Sequence, residues 1–114
     1  MMNLNTLKVS YHFQNDRQER KQRIDAIIDG NLGSAIFEEW YKDAWRVLTD
    51  TGLIVIVERN KELILTYYFA TMRQVNNMYH CNGRKTPQAI INKVQKNVNA
   101  YNRLYNESLS KKVA

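Results

Sequence analysis

The segment WRVLTDTGLIVIVERNKELILTYYFA, residues 45–70, constrains the fold of this chain more than any other. Its three runs, WRVLT, LIVIVER and ELILTYYFA, are rich in β-branched and aromatic residues, which fit a pleated, half-buried surface. Short polar turns separate them, Asp50-Thr51-Gly52 and then Asn60-Lys61. Strands joined so closely pair as an antiparallel meander, because parallel pairing needs a long crossover. The middle run is apolar on both sides, with Leu53, Val55 and Val57 on one face and Ile54 and Ile56 on the other. A strand of that kind is central in its sheet and covered on both faces. In the last run, alternation puts Leu63, Leu65, Tyr67 and Phe69 on one face and Glu62, Ile64, Thr66, Tyr68 and Ala70 on the other. The first face is uniformly apolar or aromatic, which makes Tyr67 a core residue. The second is mixed, which leaves Tyr68 with Thr66 as the candidate functional surface.

The flanking segments supply the covering layers. TLKVSYHF (6–13) alternates Leu7, Val9 and Tyr11 against Lys8, Ser10 and His12, the pattern of a half-buried strand. NDRQERKQRIDAIIDG (15–30) reads as a helix capped by Asn15 or Asp16 and ended by Gly30, with Glu19 placed to pair with Arg23 one turn on. The segment 33–45 supports two readings. Ile36, Trp40 and Ala44 fit a helix starting at Ser34, the preferred assignment, and Ala35 to Tyr41 fits a strand. Met72, Val75 and Tyr79 are spaced as a short helix ended by Asn82-Gly83. TPQAIINKVQKNVNAYNRLYNE (86–107) is expected to be a long amphipathic helix, with Thr86 as cap and Pro87 in the first turn. Ile90, Val94, Val98, Tyr101 and Tyr105 form its expected buried stripe. The whole reads as one α+β domain over 1–108, an antiparallel sheet of about four strands packed against helices, followed by a basic tail at 109–114 that frays.

The chain has 114 residues and a net charge of +6, and the excess is unevenly placed. Residues 71–114 hold Arg73, Arg84, Lys85, Lys93, Lys96, Arg103, Lys111 and Lys112 against the single acid Glu107. Such asymmetry suits a polyanion, nucleic acid being the usual one, and equally suits a solvated basic face. One cysteine, Cys81, allows no internal disulfide, and no apolar run has signal-peptide or bilayer-spanning character. The expectation is a cytoplasmic protein without membrane attachment. His12, His80 and Cys81 lack chelating spacing, so neither a metal nor another cofactor is expected. His80 and Cys81 are adjacent and point apart on a helix, which argues against a cysteine nucleophile activated by that base.

One constellation remains: His12 with Arg17, Arg20 and Arg23, set against the Thr66-Tyr67-Tyr68 end of the meander. RNA cleavage by the 2′-hydroxyl needs a group to move a proton and cations to stabilise charge on the phosphate, and these residue types supply both. The plainer reading is an exposed histidine, a solvated arginine face and core tyrosines whose hydroxyls reach the rim. The motif YHFQNDRQERKQRI, with GLIVIVERNKELILTYYFA after it, resembles small phage and prophage domains of the barnase–EndoU–colicin–RelE-like superfamily, over about residues 9–70. That resemblance implies a metal-independent ribonuclease, toxin or effector fold, with His12, Arg17 and Arg20 in the first element and Thr66 with Tyr67 or Tyr68 in the second. The expected catalytic set is His12, Arg20, Thr66 and Tyr68. The expected nucleic-acid contacts are Arg17, Arg23, Arg84, Lys85, Lys93, Lys96 and Arg103. The sequence is therefore read as a small RNA-directed domain, a phage- or toxin-type endoribonuclease in its catalytic version. The alternatives are a non-enzymatic effector that binds a host protein or nucleoprotein, and a homodimer joined through the last helix or an open sheet edge.

Overall fold

A computed structural model describes residues 3–106. A short 3-10 turn, Leu4–Thr6, leads into strand β1 (Lys8–Val9) and helices α1 (Tyr11–Asp16) and α2 (Gln18–Ile28). Four strands follow, β2 (Ala35–Tyr41), β3 (Ala44–Thr49), β4 (Leu53–Glu58) and β5 (Leu63–Phe69), then helices α3 (Met72–Cys81) and α4 (Gln88–Tyr101). A wider π turn, Asn102–Asn106, continues α4. The expected tail at 109–114 lies outside the described residues. The α+β class holds, but the sheet has five strands in the order β1-β5-β4-β3-β2 and is mixed, since β1 runs parallel to β5.

The meander forms as read, and β4 sits at its centre. Leu53, Val55 and Val57 enter one core with Phe13, Ile24, Ile64 and Tyr67, beneath α1 and α2. Ile54 and Ile56 enter a second core with Leu48, Val75, Met78, Ile90 and Val94, beneath α3 and α4. Each of Leu53, Ile54, Val55, Val57 and Ile64 is removed from water, and full burial of such a side chain is worth about 1.5–3 kcal/mol.

Several sequence expectations give way to local physics. The first strand shrinks to two residues because Ser10 turns the chain: its hydroxyl accepts a hydrogen bond from the Phe13 amide and donates to the Leu65 carbonyl. Ser10 thus caps α1, in which Tyr11, His12 and Phe13 are helical, and neither Asn15 nor Asp16 caps α2, whose N-cap is Arg17. The helix expected over 15–30 is interrupted at Arg17 and ends with Asp29, at φ 56°, and Gly30 both left-handed.

Residues 35–41 are a strand, not the preferred helix. Lys42 and Asp43, at φ 49° and 65°, form a two-residue hairpin turn, so Tyr41 pairs with Ala44 and Trp40 with Trp45. Positive φ at both central residues matches the twist of the flanking strands, and it normally selects Asn-Gly. Lys-Asp gives no such signal, which is why the segment resembled a helix.

On β5, Val57 pairs with Ile64 but Ile56 pairs with Thr66, so Leu65 is a bulge. Side chains before the bulge switch face. Ile64 therefore joins Tyr67 in the first core, against the simple alternation, while Tyr67 and Tyr68 do face opposite ways. On α4, Pro87 occupies the cap position and Thr86 instead donates its hydroxyl to the Asn76 side-chain carbonyl, 2.6 Å away. The buried stripe takes Asn97 in place of Val98, which is 42 % exposed.

Candidate nucleic-acid interface

The seam where α2 meets α4 collects the arginine-rich part of the predicted site. A groove of about 300 Å³ is lined by Asp16, Arg17, Glu19, Arg20, Arg23 and Tyr101. Spacing of three residues puts Arg17, Arg20 and Arg23 along one side of α2. Beneath α2, whose Ile24 enters the first core, a part-buried polar contact ties the helix to β5. The Tyr67 hydroxyl donates to Asp25, which also accepts from Lys21 at 2.7 Å, and the Tyr67 ring meets Phe13 edge-on at 4.8 Å. Burial first, and the Asp25 hydrogen bond second, hold the Tyr67 hydroxyl protonated well above the usual tyrosine range.

The three arginines are not equivalent. Arg23 is seated: it pairs with Glu19, donates to the Tyr101 hydroxyl at 3.4 Å and lies 4.9 Å from the centre of the Tyr105 ring. Tyr105 returns a hydrogen bond to the Arg23 carbonyl, and Tyr101 rests edge-on against Phe69. The Tyr101 bond leads the causes that raise the Arg23 pKa above its ordinary value. Asp16 is engaged by His12, whose Nδ1 lies 2.7 Å from its carboxylate. Among the described residues no acid pairs with Arg17 or Arg20, and both are exposed. The groove therefore offers two uncommitted guanidinium groups next to an aromatic wall. That combination suits phosphates in sequence with flat bases.

His12 stands at the end of this ridge, exposed and on α1. Thr66 and Tyr68 are not with it. Tyr68, like Ile56 and Met72, is half-buried against the second core, and Thr66 pairs with Ile56 on that same side. The sheet lies between them and His12, whose neighbour Phe13 is buried in the first core. Burial raises the Tyr68 pKa, with Arg46 acting in the opposite sense.

The remaining expected contacts are dispersed. Arg84, with its guanidinium 5.7 Å from the Phe37 ring, and Lys85 lie between α3 and α4. Lys96 on α4 and Arg103 in the π turn after it line one outer surface with Asn92, Gln95 and Asn99. Lys93 borders a separate open cleft of about 680 Å³, lined by Asn3, Asn5, Asn31, Ser34 and Asp50 among others. The polar groups there are largely used in holding the loop before β2: Asn5 accepts from the Leu32 amide and Asp50 from the Ser34 amide, each at 2.9 Å.

Sequence reasoning missed two features. The apolar stripe of α4 accounts for Tyr101 as a core residue, although an aromatic at the polar end of such a stripe is placed to reach a neighbouring arginine. The cluster of Trp40, Tyr41 and Trp45 with Arg46, Arg59 and Lys61 at the β2–β3 tip was hidden by the helical reading of 33–45. Among the described residues no three His, Cys, Asp or Glu side chains are grouped to hold a metal ion, and no helix is long and apolar enough to cross a membrane. Comparison with family models, curated proteins and solved structures returns no match for this chain.

Proposed function

We propose that this protein binds RNA, gripping the phosphate backbone in the α2–α4 groove. The observation that carries the reading is the pair of exposed guanidinium groups of Arg17 and Arg20 beside Tyr101, neither of them in an ion pair among the described residues, while Asp16 and Glu19 of the same groove are engaged by His12 and Arg23. The basic outer surface of α4 and the turn after it, with Lys96 and Arg103, extends the positive surface along which a strand can run. The proposal is binding without turnover, supported by the position of Thr66 and Tyr68, expected to act with His12, on the other side of the sheet from it.

Salt dependence tests it. Each phosphate neutralised on a single strand contributes about −0.7 to the slope of log K against log salt. Replacing Arg17 and Arg20 together by alanine is expected to reduce the slope by about 1.4 through loss of two contacts. An unchanged slope would show that the groove does not hold the strand. A mixed RNA pool, incubated in EDTA with excess protein, is expected to stay intact. Cleavage that disappears in His12→Ala would overturn the non-catalytic part of the proposal.

A further inference from the structure

The β2–β3 hairpin carries the most exposed tryptophan of the molecule on the free edge of the sheet. Trp40 is 50 % exposed and meets its cross-strand partner Trp45 edge-on, with ring centres 5.3 Å apart. The Trp45 ring is fixed in place, since its indole N–H donates to the Arg59 carbonyl at 3.2 Å. Lys61 Nζ lies 4.4 Å from the Trp45 ring centre, and the Arg59 guanidinium lies 6.0 Å from that of Trp40. On the opposite face Tyr41, 44 % exposed, carries Arg46 at 4.4 Å and Lys42 at 5.1 Å. The tip therefore holds three aromatic rings interleaved with four cations.

The charges and the rings together indicate what kind of ligand it suits. Glu38 and Glu39, the carboxylates of the edge strand, are taken by Lys61 at 3.2 Å and Arg46 at 2.9 Å. Arg59 and Lys42 lie over rings at cation–π distance and, among the described residues, form no ion pair with an acid. Asp43 in the turn and Glu58 at the end of β4 are the nearby acids left over in sequence. Charge alone does not select the ligand at this tip; the exposed indole beside Arg59 does. A half-open indole flanked by an unpaired guanidinium suits a nucleobase with its phosphate, because bases stack on aromatic faces and cations strengthen the contact.

We infer that Trp40, backed by Trp45 and flanked by Arg59, is a base-stacking platform for single-stranded nucleic acid, separate from the phosphate groove. The inference rests on the RNA-binding reading for the class of ligand and adds to it a requirement for unpaired bases. It has a built-in reporter, because Trp40 and Trp45 are the only two tryptophans in the chain.

The experiment titrates the full chain with a uridine oligonucleotide of about 12 residues, and with an abasic strand of the same length, while tryptophan emission is read. The base-bearing strand is expected to quench emission, whereas the abasic strand binds without doing so. Trp40→Ala is expected to weaken binding of the uridine strand by about tenfold, and Trp40→Phe to retain most of it. Arg17→Ala with Arg20→Ala keeps the quench at saturation while flattening the salt dependence. Salt-dependent binding with no base-dependent quench would remove the platform and leave the groove standing. Absence of binding by either strand would remove both. Sedimentation of wild type and Trp40→Ala covers the remaining occupant: dissociation of a dimer by the substitution would make this edge a self-interface and overturn the proposal.

Discussion

Asn97 on α4 and its neighbour Val98 make opposite predictions that one pair of variants can separate. The hydropathy pattern assigns Val98 to the core, whereas in the fold Asn97 is 3 % exposed and Val98 is 42 % exposed. The Asn97 amide donates to the Thr51 carbonyl at 2.8 Å, tying α4 to the β3–β4 turn. It lies so close over Gly52 that a Cβ there would come within 2.6 Å of its nitrogen. Asn97→Ala leaves the Thr51 carbonyl, in a part-buried contact, without this donor, a loss of up to about 1–3 kcal/mol. Alanine returns roughly 0.6 kcal/mol through its better helix propensity, so the net expectation is a destabilisation of about 1.5 kcal/mol. Val98→Ala deletes two carbon groups worth about 0.8 kcal/mol each when fully buried, here only partly so, and gains a similar propensity term. Its net effect is expected to fall within about 0.5 kcal/mol of zero. Urea unfolding followed by far-UV circular dichroism measures both, with an unchanged m-value confirming that the difference lies in stability. Equal effects, or a larger one from Val98→Ala, would refute the placement of Asn97 as the anchor of α4.

Two further predictions concern the first core and the tyrosines. Phe13→Ala removes a fully buried ring packed on Tyr67 and is expected to cost about 3–5 kcal/mol, unlike Tyr11→Ala two residues before it on the exposed side of α1, where thermal unfolding should change little. The raised pKa values of Tyr67, Tyr68 and Tyr79 mean that the folded chain keeps protons that the unfolded chain releases near pH 10. Their contribution to stability is complete below about pH 10 and is lost as pH rises further. The urea midpoint is thus expected to fall on the alkaline side of pH 10, and less steeply in Tyr67→Phe. A midpoint independent of pH in that range would contradict the burial of these hydroxyls.

Residues 45–70 determined a great deal by themselves. Three β-rich runs divided by short turns have only one economical pairing, and a central run apolar on both faces requires a layer on each side. The meander, the two cores and the opposite orientation of Tyr67 and Tyr68 all follow from that pattern. The arginine row of α2 and its Glu19–Arg23 pair were also legible, because contacts one turn apart depend only on helical spacing.

Tertiary structure decided what depends on distant partners. Ser10 became a helix cap because the Leu65 carbonyl was available to it, and that contact shortened the first strand and put His12 on a helix. The bulge at Leu65 reversed the facing of Ile64, which no period-two pattern can reveal. Lys42 and Asp43 adopted a turn that their types do not advertise, because the strands on either side gain by pairing Trp40 with Trp45. Asn97 could be buried only because the Thr51 carbonyl meets it. The same dependence governs the candidate site. Sequence could propose that His12, Arg20, Thr66 and Tyr68 act together, but a sheet passes between the first two and the last two. The groove arose instead where α4 brought Tyr101 against α2, a meeting set by side-chain packing between segments far apart in the chain.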